Sequence, residues 1–248
     1  MKKMFLLSVF ASLLMACDYS YTEKYTYQIN EPVFMPEAAL RSSVKVTKEK
    51  REISNYGKIC FYNGYLFISE SEVGVHILDN RNPSQPNHVG FIELSGNADI
   101  AIKDNRLYAD SCIDLVWFDI SDPANPQLAG RLENAFPESL PVVDNNYGYD
   151  YSMVYGEKKS GIIVGRALKE REKDIVRHGN RWGWGAEYAI ADAASPSMSA
   201  GATGSMSRFA LYDKYLYAVI NYRMCIFDLS EPEPVNKGSI GAGNVAMC

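Results

Sequence analysis

Histidine is scarce, with three in 248 residues. His76, His88 and His178 are scattered, and no HExxH run is present to seat a catalytic zinc. There is no Gly-x-Ser-x-Gly turn for an acyl-transfer serine and no Gly-Lys-Ser/Thr loop to cradle phosphate. The five cysteines form no CxxC pair, which removes the zinc-ribbon and thioredoxin-like readings. Helical periodicity of useful length is missing, and no apolar run reaches the ~20 residues a bilayer requires. Basic runs are absent beyond the first residues. The net charge of −5 argues against nucleic acid or an anionic membrane surface as partner.

What is present suits a folded, exported chain. The composition is 47% hydrophobic and 22% charged, enough apolar surface for a core. Lys2 and Lys3 precede an apolar stretch from Met4 to Met15, followed by Leu14-Met15-Ala16-Cys17. A basic start, a short apolar run and a small residue before the break read as a secretory leader. The last four residues resemble the lipobox of bacterial lipoproteins. That resemblance implies a diacylglyceryl group on Cys17, cleavage before it, and a lipid anchor without a spanning helix. Residues 18–56 follow as a tether and N-terminal extended segment; Asp18–Pro32, rich in tyrosine, reads as a tether or as a first strand.

The rest, 57–248, is repetitive. Tyr65-Leu66-Phe67-Ile68, Gly74-Val75-His76-Ile77-Leu78-Asp79, Asn82-Pro83-Ser84-Gln85-Pro86 and Gly90 recur as Arg106-Leu107-Tyr108-Ala109, Asp114-Leu115-Val116-Trp117-Phe118-Asp119, Asp122-Pro123-Ala124-Asn125-Pro126 and Gly130. A third copy runs from Tyr215-Leu216-Tyr217-Ala218 through Arg223-Met224-Cys225-Ile226-Phe227-Asp228 to Gly238. The step of ~40 residues between the first two is the period of a four-stranded propeller blade. Blades are expected at about 57–92, 97–132 and 207–240, with a divergent insertion at 133–206. Asn63-Gly64 and Asp104-Asn105 sit where tight hairpins join the first two strands of a blade. Asp79, Asp119 and Asp228 end the third strands. Each is expected to cap backbone N–H groups of the following turn, a structural task rather than a catalytic one.

The strand-three sequences VHILD, VWFDIS and CIFDLS, with the proline corners behind them, resemble the LVIVD-repeat proteins. These are exported proteins and lipoproteins, so the resemblance implies an all-β fold of four-stranded, propeller-type blades in the envelope. Three copies do not fill a ring. The segment Gly243–Cys248 echoes Gly96–Ile100, the entry to a blade. An incomplete ring is therefore expected, through truncation, an open solenoid, or closure between chains.

Candidate chemistry concentrates on the second copy. Asp99, Asp110 and Asp114 should converge at one rim, because the start of strand one and the strand two–three hairpin share an edge. Clustered carboxylates repel and need compensation. Calcium is one candidate, since it accepts oxygen ligands in flexible geometry; the alternative is neutralisation by Arg106, Arg208 or Arg223. Glu70 and Glu72 occupy the matching rim of the first copy, and Arg208, Tyr222 and Arg223 that of the third. In the insertion, Trp182 and Trp184 among glycines could stack on a sugar or a partner, or anchor their own loop. Gly161–Gly165 reads as a strand. Lys169–Asp174, mixed in sign, reads as a solvated segment at a strand end. Cys60 and Cys225 lie in apolar strands as small buried residues.

Two functions are open. One is a non-catalytic envelope module, anchored in the outer membrane of a Gram-negative cell, that binds a protein or glycan through its rim loops without any cofactor. The other is an envelope hydrolase or lyase acting on polysaccharide or peptide at an acidic rim.

Overall fold

The computed structural model describes residues 19–137, 139–141, 146–150, 153, 161–179, 207–220 and 223–241. Cys17, Trp182, Trp184 and Tyr222 lie outside them. The regular elements of the described residues are nearly all β, with a short helix at Glu37–Ser42. Among the described residues no helix is long and apolar enough to cross a membrane.

The elements run β1 (Tyr19–Met35), α1 (Glu37–Ser42), β2 (Lys45–Thr47), β3 (Tyr56–Tyr62), β4 (Tyr65–Glu70), β5 (Gly74–Asp79), β6 (Asn87–Glu93), β7 (Ile100–Lys103), β8 (Arg106–Ser111) and β9 (Asp114–Asp119). They continue as β10 (Gln127–Leu132), β11 (Gly148–Tyr149), β12 (Ile162–Gly179), β13 (Phe209–Tyr212), β14 (Tyr215–Ile220), β15 (Arg223–Asp228) and β16 (Val235–Gly241). Three antiparallel sheets are blades, in order β3-β4-β5-β6, β7-β8-β9-β10 and β13-β14-β15-β16, and β2 adds a fifth strand beside β6. They do not close a ring.

Local chemistry sets each blade. Asn63 and Gly64, then Asp104 and Asn105, all have positive φ, the backbone of a two-residue hairpin that matches strand twist. Every outer strand carries a bulge at the same place. Ile77 pairs with Gly90 but Leu78 with His88, Trp117 with Gly130 but Phe118 with Leu128, and Ile226 with Gly238 but Phe227 with Asn236. The repeated glycine follows the bulge. At Gly130 a Cβ would stand 2.1 Å from Trp117 Cζ2, so the ring needs the bare backbone.

Packing explains the hydrophobic patterns. Leu107, Ala109, Val116 and Phe118 of the middle blade pack on Phe67, Val75, Ile77 and Ile92 of the first. Tyr108, Leu115 and Trp117, on the opposite face, pack on Phe209, Leu216, Ala218 and Phe227 of the third. Burial on both faces yields the continuous apolar run of β9, whereas β14 alternates because only one face is covered.

The segment 18–56 is not a free tether. From Tyr19 onward it forms β1, which runs antiparallel along β12 for nearly its whole length. α1 and β2 then lead into the first blade. Lys169–Asp174 lies in the interior of β12 and pairs with Lys24–Ile29, so it is not a strand end.

Candidate functional site

The rim where the three blades meet is built around buried carboxylates. Asp110, at the end of β8, is fully buried. Its Oδ1 accepts hydrogen bonds from the backbone N–H of Ala98 at 2.8 Å, that of Asp99 at 2.9 Å and Asn97 Nδ2 at 3.1 Å. Asn97 Oδ1 in turn accepts from Ser69 Oγ of the first blade at 2.9 Å. Asp110 Oδ2 is buried with no hydrogen-bond partner among the described residues; the nearest cation is Arg208 Nη1 at 3.9 Å. Burial pushes the Asp110 carboxyl up to about 6, against the pull of its backbone donors and Arg208.

Asp99 works between blades. Its Oδ1 accepts from Ile100 N at 2.7 Å, and its Oδ2 accepts from the backbone N–H groups of Arg208 and Phe209 at the entry to β13. Lys58 Nζ stands 3.5 Å from Asp99 Oδ1. By register Lys58, Asp99 and Arg208 are equivalent positions in the three blades. A cation, an anion and a cation thus follow one another along the inner strands.

The expected convergence of three aspartates is corrected. Asp114 sits apart, its Oδ2 bound by Arg131 Nη1 at 2.8 Å and Arg41 Nε at 3.1 Å, and its Oδ1 by the N–H of Asn134 at 2.8 Å. Arg41 belongs to α1, so Asp114 pins the N-terminal helix to the second blade. Among the described residues no group of three or more His, Cys, Asp or Glu side chains could hold a metal ion. Of the three expected neutralisers Arg208 does face Asp110, whereas Arg106 donates to Pro232 O and Arg223 to Ser239 Oγ.

Glu70 likewise turns away from the rim. Its Oε1 accepts from Ser54 Oγ and N, and its Oε2 lies 2.7 Å from His76 Nε2. His76 Nδ1 is 3.3 Å from His88 Nε2. Burial raises the Glu70 carboxyl, yet the bonds from Ser54 and His76 prevail and bring it down to about 2. The side chain clips the segment before β3 onto the outer face of the first blade.

The acid that does face the rim is Glu72, in the hairpin after β4. With Asn97, Cys112, Leu140, Ile163 and Arg208 it lines a narrow cleft. Burial raises its pKa, against Arg166 and Arg208. Arg166 Nη1 is buried without a hydrogen-bond partner among the described residues. The cleft therefore places one acid, Glu72, one guanidinium group, Arg208, and the Asn97 amide on a largely apolar lining, with Asp110 within 3.9 Å of Arg208 behind it. A separate, larger groove of about 360 Å³ lies between β2 and the proline corner of the second blade, lined by Val44, Lys48, Phe118 and Leu128 among others. It brings together no comparable set of charges.

The three corner aspartates are alike. Asp79 accepts from the N–H of Arg81 at 3.1 Å, Asp119 from Ser121 at 2.8 Å, and Asp228 from Ser230 at 3.0 Å. Residues 57–93 and 95–133, the first two blades, match the family model described as LVIVD repeat. The first two blades are thus similar to LVIVD repeats, and the match covers under a third of the chain. Among curated proteins no relative matches. Of solved structures, a complex of S. cerevisiae Dbp5 with Nup159, Gle1, IP6 and ADP is 11% identical. The match covers 77% of this chain and 32% of that one, with a TM-score of 0.33. The computationally designed Ika8 protein is 10% identical, with 75% and 49% covered and a TM-score of 0.32. The chain thus spans less than half of each of these proteins.

The rim brings together Asp99, Asp110 and Arg208, and leaves Glu70, Asp114 and Arg223 elsewhere. Arg166 and Cys112 were missing from the sequence reading of the site. The signal for Arg166 is its place directly after the strand Gly161–Gly165, which brings it beside the rim acid Glu72. Burial pushes the Cys112 thiol up to about 12, which makes it a packing residue and not a nucleophile.

Proposed function

We propose that the chain is a non-catalytic binding module of the cell envelope, held by a lipid on Cys17 at the outer membrane. In this reading it recognises a protein or glycan at the rim cleft lined by Glu72 and Arg208. One observation carries the reading: Asp110 Oδ2 and Arg166 Nη1 are buried without a hydrogen-bond partner among the described residues, near a cleft that holds Glu72 and Arg208. Orphaned buried polar atoms cost about 1–3 kcal/mol each, and a polar group docking in the cleft relieves that cost. The leader supports the location, since a cleaved chain acylated at Cys17 needs no spanning segment.

The test is binding of the mature chain to immobilised envelope glycans and envelope proteins, alongside Arg208→Gln and Glu72→Gln. A captured ligand that both substitutions release, with folding intact, supports the cleft. Capture indifferent to both removes it. The second reading, an envelope hydrolase, is favoured by the Asp110 carboxyl at about 6, a suitable range for a general acid. Turnover of an envelope polysaccharide or peptide that Asp110→Asn abolishes would replace the binding reading.

A further inference from the structure

The β1–β12 ribbon is the largest element that the rim cleft leaves almost unused. β1 is 17 residues long, so the ribbon extends about 55 Å. Among the described residues β11 flanks β1 only at Ile29 and Asn30; beyond it two strands stand alone, which is marginal in water, and most of this pair is solvent-exposed.

The charges of the run Lys169–Asp174 are sorted by face, while Glu23 and Glu31 of β1 share the tyrosine side and Lys24 the other. Side chains alternate along a strand, so Tyr25 with Lys173, Tyr27 with Arg171 and Ile29 with Lys169 share one face. Lys24 with Asp174, Thr26 with Glu172 and Gln28 with Glu170 share the other. A run that looks neutral along the chain therefore places its three cations on the tyrosine side and its three acids opposite. The Tyr25 and Tyr27 rings lie parallel, 6.1 Å apart, and Tyr25 is 54% exposed. Lys169 and Lys173 are exposed. Arg171 is engaged by Glu31 at 2.6 Å, and on the acidic face Glu172 is paired with Lys24 at 3.1 Å.

We propose that the tyrosine–lysine face of this ribbon lies against a phospholipid bilayer. Lys169 and Lys173 would reach the lipid phosphates, and the tyrosine rings would sit in the headgroup layer. Three features select this occupant. The face runs along an extended two-stranded ribbon, whereas small-molecule sites are concave. Tyrosine with lysine is the residue pair of membrane–water interfaces. The ribbon also begins at Tyr19, two residues after Cys17, so an acylated Cys17 would hold this face at the bilayer, where weak contacts suffice. In that last respect the proposal rests on the anchor reading. The net charge of −5 does not oppose it, because salt screens the blade acids over roughly 8 Å.

The experiment mixes the unlipidated mature chain, residue 18 onward, with vesicles of phosphatidylcholine alone or with phosphatidylglycerol. Binding to the mixed vesicles is expected, weakening with salt. Lys169→Gln with Lys173→Gln should lower the affinity about tenfold or more, and Tyr25→Ser should weaken it further. Lys45→Gln with Lys50→Gln removes the same charge from the first-blade side and should cost less than about twofold. Absence of binding to both vesicles overturns the proposal, as do equal losses in the two lysine pairs. Binding to polygalacturonate that the ribbon lysines control, with none to vesicles, overturns it in favour of an acidic glycan. Acylation is tested separately with Cys17→Ala in the full precursor, so either reading can fail alone.

Discussion

Asp99 of the second blade accepts a hydrogen bond from the backbone N–H of Phe209, the first residue of β13 in the third blade, at 2.7 Å. The two residues are 110 positions apart, and the same carboxylate oxygen also receives the Arg208 N–H. Asp99 is 1% exposed, so water does not replace it. Asp99→Ala should therefore destabilise the chain by about 3 kcal/mol, the cost of leaving buried donors unpaired. Urea unfolding followed by tryptophan fluorescence reads the loss; a change under about 0.5 kcal/mol would remove Asp99 as an inter-blade tie.

Asp110 should impose an unusual pH dependence. Its folded-state pKa of about 6 lies above the unfolded value of about 3.9. Between those values the folded chain holds more protons than the unfolded one, so stability falls as pH rises from about 4 to 6. Glu72, also raised by burial, adds in the same direction. In Asp110→Asn most of this decline should vanish, leaving the Glu72 share. Chemical denaturation at pH 4, 5 and 6 decides the matter, and an unchanged slope in the variant counts against it.

Glu70 gives the opposite sign. Its folded pKa of about 2 lies below the unfolded value, so its stabilisation is present above about pH 4.3 and is lost as pH falls toward 2. Glu70 and His76 are both buried and 2.7 Å apart. A double-mutant cycle of Glu70→Gln and His76→Ala should show a coupling of about 1–3 kcal/mol at pH 6. Additive losses would mean that the two side chains act independently.

These contacts differ in how far the sequence discloses them. The Asn63-Gly64 and Asp104-Asn105 turns and the caps of Asp79, Asp119 and Asp228 span only two or three residues, so residue type alone suffices to read them. Blade pairing follows from the spacing of the repeats. The Arg41–Asp114 pair joins residues 73 positions apart, and neither residue type announces its partner. Pairing of β1 with β12 bridges up to about 160 positions and involves a charge run that alternates in sign, which reads as solvated until the strand period separates it. Asp99, Asp110 and Asp114 were grouped by their place in the blade. Topology put all three near one edge, but side-chain direction and the neighbours Arg41, Arg131 and Arg208 divided them.

Gly130 should tolerate no side chain. The Cβ of Gly130→Ala would meet the Trp117 ring at 2.1 Å, and the ring is held between two blades. A destabilisation of about 1–3 kcal/mol is expected, with a changed near-ultraviolet signal from the displaced indole. Gly90→Ala is the control, since its nearest neighbour, Thr47 O, stands at 3.3 Å and the loss should be smaller. Equal losses at the two sites would show that the bulge backbone, and not the indole, demands glycine.

The middle sheet has a neighbouring blade on both faces, and the outer two have one on a single face each. Amide protons of β8 and β9 can therefore reach solvent only when a neighbouring sheet has already lifted away. Their exchange with deuterium should be the slowest in the chain, and the strands of the first and third sheets should exchange earlier, as units that open while the centre stays shut.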